Sequence, residues 1–301
     1  MVGGGRAGVA IAVLLQRAGH RIVGVSGRGP TRDRVASYLP DVPVLDATIV
    51  VAEAELVVVA VPDDDIEPVV GTIAAAGAFL PGQWVAHVSG ATPLAVLDPA
   101  RDAGARRLGV HPLQTFPDPA SGIDRIPGCL VAISADDDDG WFMAERIAED
   151  IMGEPFRLQE DHRALYHAAA VFASNYLVTA TAVAEQLLAA AGVDDPAAAL
   201  RPLQRATVDN VASLGAGDAL TGPAVRGDAG TIERNLEALA ARTPWAVAAY
   251  VEMARLALDL SVRSGRLAEK EGTQRPLTKV SRSWLHVRAT RVAPRQGCGI
   301  W

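Results

Sequence analysis

Hydrophobic positions follow two rhythms along this chain. Up to about residue 160, short apolar runs alternate with amphipathic stretches. Leu56-Val57-Val58-Val59-Ala60-Val61 is an unbroken apolar run closed by Pro62-Asp63, the pattern of a parallel strand covered on both faces. Such runs predict strands over residues 21–26, 56–61, 83–88, 106–110, 129–135 and 155–158. Amphipathic spacing predicts helices at 9–18, 64–76 and 140–152. This alternation argues for an α/β, doubly wound sheet over residues 1–160.

Past residue 160 the strand signals stop. Ala- and Leu-rich helical patterns take over at 161–191, 196–214, 231–241 and 245–264, so an all-α C-terminal domain is expected over 161–271. Residues 168–184 carry no charge, but Ser174, Asn175, Thr179 and Thr181 interrupt them. A buried domain helix is expected there rather than a membrane span. Residues 272–301 hold six Lys or Arg and no acid. They read as a disordered basic tail or an ending out of frame with its relatives, with a nucleic-acid- or partner-binding arm as the alternative.

Gly3, Gly5 and Gly8 have the G-x-G-x-x-G spacing, with Arg6 and Ala7 between the last two. In a strand–turn–helix unit the first glycine makes the tight turn. The second admits a pyrophosphate, and the third lets helix and strand pack closely. The sheet is therefore expected to be a Rossmann-like, dinucleotide-binding one. Only two residues precede Gly3, too few for an ordinary first strand. The natural start is expected a few residues upstream, which the mass of the native protein tests.

An NAD-selective site usually carries an acid at the end of the second strand. Here the sequence reads Ser26-Gly27-Arg28-Gly29-Pro30-Thr31-Arg32, without an acid. Ser26, Arg28 and Thr31 suit a 2′-phosphate, so NADP(H) is expected over NAD(H). Val61-Pro62, Ser89-Gly90 and His111 to Gln114 end three further strands, where a doubly wound sheet binds its ligands.

Composition narrows the classes further. Half the residues are hydrophobic, enough for a sizeable core, and the net charge is −7. That charge argues against nucleic acid or an anionic membrane as partner. The two cysteines, Cys129 and Cys298, make neither a disulfide framework nor a metal cluster. Without a signal peptide pattern, the cytoplasm is the default compartment. The Asp63–65 and Asp136–139 runs read as solvated helix caps, and no metal is assigned.

The opening glycines, Ala60-Val61-Pro62-Asp63, His87-Val88-Ser89-Gly90 and Gly109-Val110-His111-Pro112-Leu113-Gln114 resemble the 6-phosphogluconate-dehydrogenase-like superfamily. Tyr166-His167-Ala168-Ala169-Ala170, Ser174-Asn175-Tyr176 and the stretch from Leu220 to Asp228 are similar to one uncharacterised bacterial family within it. That family joins a Rossmann-like domain to a helical domain of unknown function. The resemblance implies a nicotinamide cofactor and helical domains paired in a homodimer. The helical half also resembles pyrroline-5-carboxylate reductase in layout. There a loop ending in Gly-Thr, here Gly230-Thr231, binds the substrate carboxylate. β-Hydroxyacid dehydrogenases place a Lys four residues before an Asn. Asn175 fits the Asn, but the Lys position is Val171.

Reducing a carbonyl requires a proton donor, and imidazole titrates near neutrality. His111 and His167 are the candidates, with Asn175 to hold the nicotinamide amide or the substrate. His167, Ser174 and Thr181 are seven apart and would share one face of a continuous helix. Gln114, Ser174, Arg226 and Thr231 are candidate substrate contacts, Arg226 as a carboxylate clamp. Asp228 is expected to cap the following helix or to pair with Arg226. The expected protein is an NADP-dependent oxidoreductase of a small carbonyl or imine acid. Ketopantoate-type and deazaflavin-dependent NADP reductases are variants of that reading. A non-catalytic dinucleotide-binding sensor is its rival.

Overall fold

The computed structural model describes residues 1–267. The tail expected at 272–301, and Cys298 with it, lies outside the described residues. The described chain forms two compact units, Met1–Leu177 and the residues from Val178 onward.

The first unit is built on a five-stranded sheet in the order β1 (Leu56–Val59), β2 (Trp84–His87), β3 (Arg106–Pro112), β4 (Leu130–Ala135), β5 (Glu154–Arg157). All neighbours are parallel except β3 and β4. Beyond β1 the sheet continues as single bridges, Val2 to Val59, Val2 to Ser26 and Val25 to Val44. The chain thus steps outward in both directions from Val2, as in a doubly wound sheet.

The strand expected over 21–26 is reduced to pairing at Val25 and Ser26. A strand persists only where a neighbour takes up its backbone groups. Met1 and Val2 meet it near Ser26, through Ser26 N–H to the Met1 carbonyl and the Met1 amino group to the Gly24 carbonyl, while Val25 pairs on its other side with Val44. Below them a groove of about 240 Å³ opens among Met1, Ile22, Val23 and Leu56.

Helices cover both faces of the sheet. They are α1 (Arg6–Arg17), α2 (Thr31–Tyr38), α3 (Ala47–Ala52), α4 (Asp63–Ala75), α5 (Asp98–Asp102), α6 (Pro119–Arg125), α7 (Asp138–Asp150) and α8 (Arg163–Ala173). Alternate side chains of β1 divide between two cores. Val58 joins Val9, Leu14, Leu108, Ile133 and Ile147 on one face. Val57 and Val59 join Ile66, Val70, Ile73 and Leu97 on the other. Burial on both faces is what made 56–61 an unbroken apolar run.

The helix expected over 161–191 is divided. α8 ends at Ala173, Ser174 takes φ −119° and ψ −69°, and α9 (Asn175–Ala190) begins afresh. Ser and Asn side chains compete with the helix for backbone hydrogen bonds, and here the two stand adjacent. The single stripe of His167, Ser174 and Thr181 therefore does not form on one straight helix. Nor is this stretch buried. The apolar window within Glu160–Ala190 has mean hydropathy 1.2, and among the described residues none of it is fully buried.

The second unit continues through α10 (Pro196–Ala219), α11 (Ala229–Arg242) and α12 (Val247–Arg263). Ile232 and Leu236 form its small core with Val247, Tyr250 and Val251. Gly215, at φ +79° and ψ 159°, bends α10 just past the expected helix end at 214. Arg266 closes this corner by donating to the carbonyls of Asp218 (2.7 Å) and Leu220 (2.6 Å).

Candidate active site

One cross-strand row marks the rim of the sheet: Ser26, Val2, Val59, His87, Gly109 and Ser134, each in register with the next. The parallel strands give way to loops at or soon after this row. The glycine turn, Ala60 to Pro62, Ser89-Gly90 and His111 all lie on that side of it.

At one end of the row, Gly3 has φ +102°, and a Cβ there would collide with the Ala60 carbonyl. A Cβ on Gly8 would collide with the carbonyl of Gly3. These glycines are steric requirements of strand, turn and α1 packed together. Gly5 is different. It caps α1 without a side-chain bond, and its Cβ position is 3.9 Å from the nearest atom. The first turn of α1 holds no acid. An open glycine before exposed helix N–H groups fits a pyrophosphate.

Arg6 is exposed and donates to the Pro117 carbonyl (3.2 Å), while Ala7 is half-buried. Of the residues expected at a 2′-phosphate, Arg28 is exposed, but Ser26 and Thr31 are buried. The Thr31 hydroxyl donates to the Arg28 carbonyl (2.9 Å), so Arg28 alone of the three presents its side chain outward. Val61 borders Gly3, and Pro62 caps α4. The Ser89 hydroxyl is spent within its own loop. It donates to Thr92 Oγ1 (2.7 Å) and accepts from the N–H groups of Ala91 and Thr92.

Further along the rim stands a cluster the sequence only partly signalled. His111 Nδ1 lies 2.8 Å from the Tyr166 hydroxyl oxygen, with the two rings edge to face at 5.5 Å. A Cβ on Gly90 would come within 2.8 Å of the His111 ring, so glycine there makes its seat. Burial lowers the His111 pKa to about 4, with His167 and Arg163 adding to the effect. Burial also pushes the Tyr166 phenol up to about 12. His167 joins the cluster, and its Nδ1 is buried without a hydrogen-bond partner.

Beneath this pair lies His87, fully buried. Its Nδ1 accepts the Ser89 N–H (3.2 Å), which places the proton on Nε2. Nε2 finds no acceptor. Burial, then Arg163 and His111, bring its pKa to about 3.

Arg163, 3% exposed, lies among them. It donates to Ser134 Oγ (2.7 Å), the Ser89 carbonyl (3.2 Å) and Glu160 Oε1 (2.7 Å). Tyr166 and His87 sit inside motifs legible in the sequence, yet neither stood out as a site residue. Arg163 belongs to no motif of the linear pattern.

The remaining candidates are placed within their own units. Gln114 turns to the Arg125 carbonyl (3.3 Å) and to the N–H of Thr115 (2.8 Å). Ser174 occupies the helix break, and Asn175 is exposed just after it. In the second unit Arg226 is exposed. Thr231 is bound through both its N–H (3.0 Å) and its hydroxyl (2.7 Å) to Asp228. Asp228 therefore caps α11, and these bonds hold its carboxyl below the usual range.

Sheet, switch point and glycine turn define a Rossmann-type protein with a helical C-terminal region. More particularly, a Rossmann-like domain model matches residues 1–112, and the model of a domain of unknown function, DUF2520, matches residues 129–257. The chain thus combines these two domains, as its motifs implied. No curated protein matches it. Among solved structures, it is similar to a candidate NADP oxidoreductase (BF3122) from Bacteroides fragilis, at 24% identity and TM-score 0.69, covering 86% of this chain and 96% of that one. Protein TM1727 from Thermotoga maritima is similar at 24% identity and TM-score 0.67, covering 88% and 98%. A pyrroline-5-carboxylate reductase from Coxiella burnetii follows at 17% identity and TM-score 0.53, covering 87% and 96%.

Proposed function

We propose that the protein is an NADP(H)-dependent oxidoreductase that transfers a hydride to or from a small carbonyl or imine acid. The observation that carries this reading is the shared rim. A glycine turn shaped for a pyrophosphate and a half-buried His111–Tyr166 pair lie on the same side of one cross-strand row. The names of two similar structures, an NADP oxidoreductase and the reductase of a cyclic imine carboxylate, support it.

Gly3, Gly5, Ala7 and the first turn of α1 would hold the pyrophosphate, with Arg6 beside them and Arg28 for the 2′-phosphate. Val61, Pro62 and the Ser89 loop would border the nicotinamide. When bound, the cofactor supplies the hydride. The chain supplies a proton and a fixed geometry. Tyr166 keeps its phenolic proton through the neutral range. His111, uncharged, orients that hydroxyl and shares its proton across 2.8 Å. His167 and Asn175 complete the candidate reacting group, and Arg226 remains the candidate carboxylate clamp. A second copy of the chain is the partner proposed for the uncovered α8 surface, where Leu165 and Phe172 are 74% and 62% exposed.

Calorimetric titration with NADPH and NADH tests the reading. NADPH is expected to bind at least about tenfold tighter than NADH, since one charge-assisted contact accounts for such a ratio. Arg28→Ala is expected to remove the difference. Binding of neither nucleotide would overturn the cofactor assignment, and with it both the enzyme and the dinucleotide-binding sensor.

A further inference from the structure

Two observations at the rim are not used by the pair itself. The first is the reach of Arg163. It is the first residue of α8, and Tyr166 and His167 follow three and four positions later, on the same helical face. Its guanidinium spans separate parts of the fold: the loop after β2 through the Ser89 carbonyl, and β4 through Ser134 Oγ. Ser134 passes the contact on to the Leu158 carbonyl (2.8 Å), just beyond β5. Glu160 receives Arg163 on Oε1 and the Leu94 N–H on Oε2 (2.8 Å).

The second observation is the slot that admits this side chain. Gly109 stands in the middle of β3, between His87 and Ser134 in the rim row. A Cβ there would lie 3.0 Å from Arg163 Nη2, against 3.5 Å from both His87 and Ser134. The bare backbone of β3 is the floor on which the guanidinium rests.

We propose that Arg163, seated on Gly109 and held by Glu160, is the positioning residue that sets the first turns of α8 so that Tyr166 stands on His111. Its donors are committed to Glu160, Ser134 and Ser89, so it serves as an anchor and not as a substrate clamp. A planar fork suits this part, because it satisfies several fixed acceptors at once, which an ammonium on a flexible stem does not. The proposal rests on the His111–Tyr166 pair being the reacting one. The groups that face His111 are Tyr166, His167 and Arg163 on α8 and His87 on β2. Arg163 is the permanent cation among them, and it adds to burial, the larger cause, in keeping both inner imidazoles uncharged.

The test uses the full chain with Arg163→Met, Arg163→Lys and Gly109→Ala, reading the titration midpoints of His111 and His87 by NMR. Arg163→Met is expected to raise the His111 midpoint by about one pH unit, as a buried charge at this range does. Arg163→Lys keeps the charge and is expected to restore the midpoint. Neither Lys nor the crowded Gly109→Ala variant is expected to restore turnover, which should fall about tenfold or more with KM for NADPH unchanged, since misplacement by an ångström costs that much. NADPH affinity by calorimetry should stay within about twofold of the parent, the cradle lying elsewhere on the rim. An unmoved His111 midpoint in Arg163→Met, or full turnover in Gly109→Ala, would overturn the proposal. If Arg163→Met does not fold, the other two variants decide. Failure of the parent itself to bind NADPH would count against the proposed function, while the midpoints would still report on the anchor.

Discussion

At the scale of single residues, the proposed chemistry rests on Tyr166 and His111. A proton passed from the neutral phenol to the neutral imidazole would leave two poorly solvated charges, so in the proposed reaction the phenolic proton goes to the substrate as the hydride arrives. Tyr166→Phe is therefore expected to leave NADPH binding intact and to lower turnover by about 10²–10⁴-fold, the usual worth of a positioned proton donor; single-turnover kinetics check it. The two inner histidines also carry a pH signature. They titrate at about 3 (His87) and about 4 (His111) in the folded protein, against an ordinary 6.5. Between those limits the unfolded chain takes up protons that the folded one refuses, so stability is lost as pH falls below 6.5. The loss is about 1.4 kcal/mol per pH unit for each histidine within its window. Urea denaturation from pH 7 to pH 4 reads this slope, and His87→Phe should reduce it. His111 and His167 were visible in the sequence as titratable groups in telling places. His87 and Arg163 were not, because a histidine at a strand end and an arginine at a helix start read as ordinary until neighbouring strands close over them.

At the scale of elements, local chemistry decides where helices begin and break. Asp228 bonds both polar groups of Thr231 and so starts α11. Asp228→Ala is expected to lower the urea midpoint while leaving nucleotide affinity unchanged, because the cap acts within its own unit. A loss of nucleotide binding instead would give this aspartate a ligand role. The expected 161–191 helix shows how far periodicity carries. It located an apolar helical stretch, though not a buried one, and passed over the break at Ser174-Asn175, since a two-residue competition for backbone bonds leaves a 3.6-residue rhythm intact. The expected second strand failed for the opposite reason. Its apolar pattern is real, but bridges exist only at Ser26, which pairs with Val2, and at Val25, which pairs with Val44.

At the scale of the whole molecule, the uncovered apolar surface of residues 160–190 is the largest unmet demand. Leu165 and Phe172 on α8 and Tyr176 at the start of α9 stand 74%, 62% and 51% exposed, and clustered exposed apolar side chains usually mark an interaction surface. Light scattering is expected to find twice the chain mass at micromolar concentration, and Phe172→Glu to shift it toward the monomer. A monomer across the whole concentration range would leave this surface without its proposed partner. The sequence by itself determined the strand and helix rhythm, the division into sheet and helices, and the glycine turn. Each of these depends on spacing between near neighbours, which a linear chain records directly. The tertiary structure alone decided that Gly109 floors an arginine, that His87 lies buried with an unanswered donor, and that His111 is neutral at its station. Those properties arise from cross-strand register and exclusion of water, and both come into being only when distant segments are brought side by side.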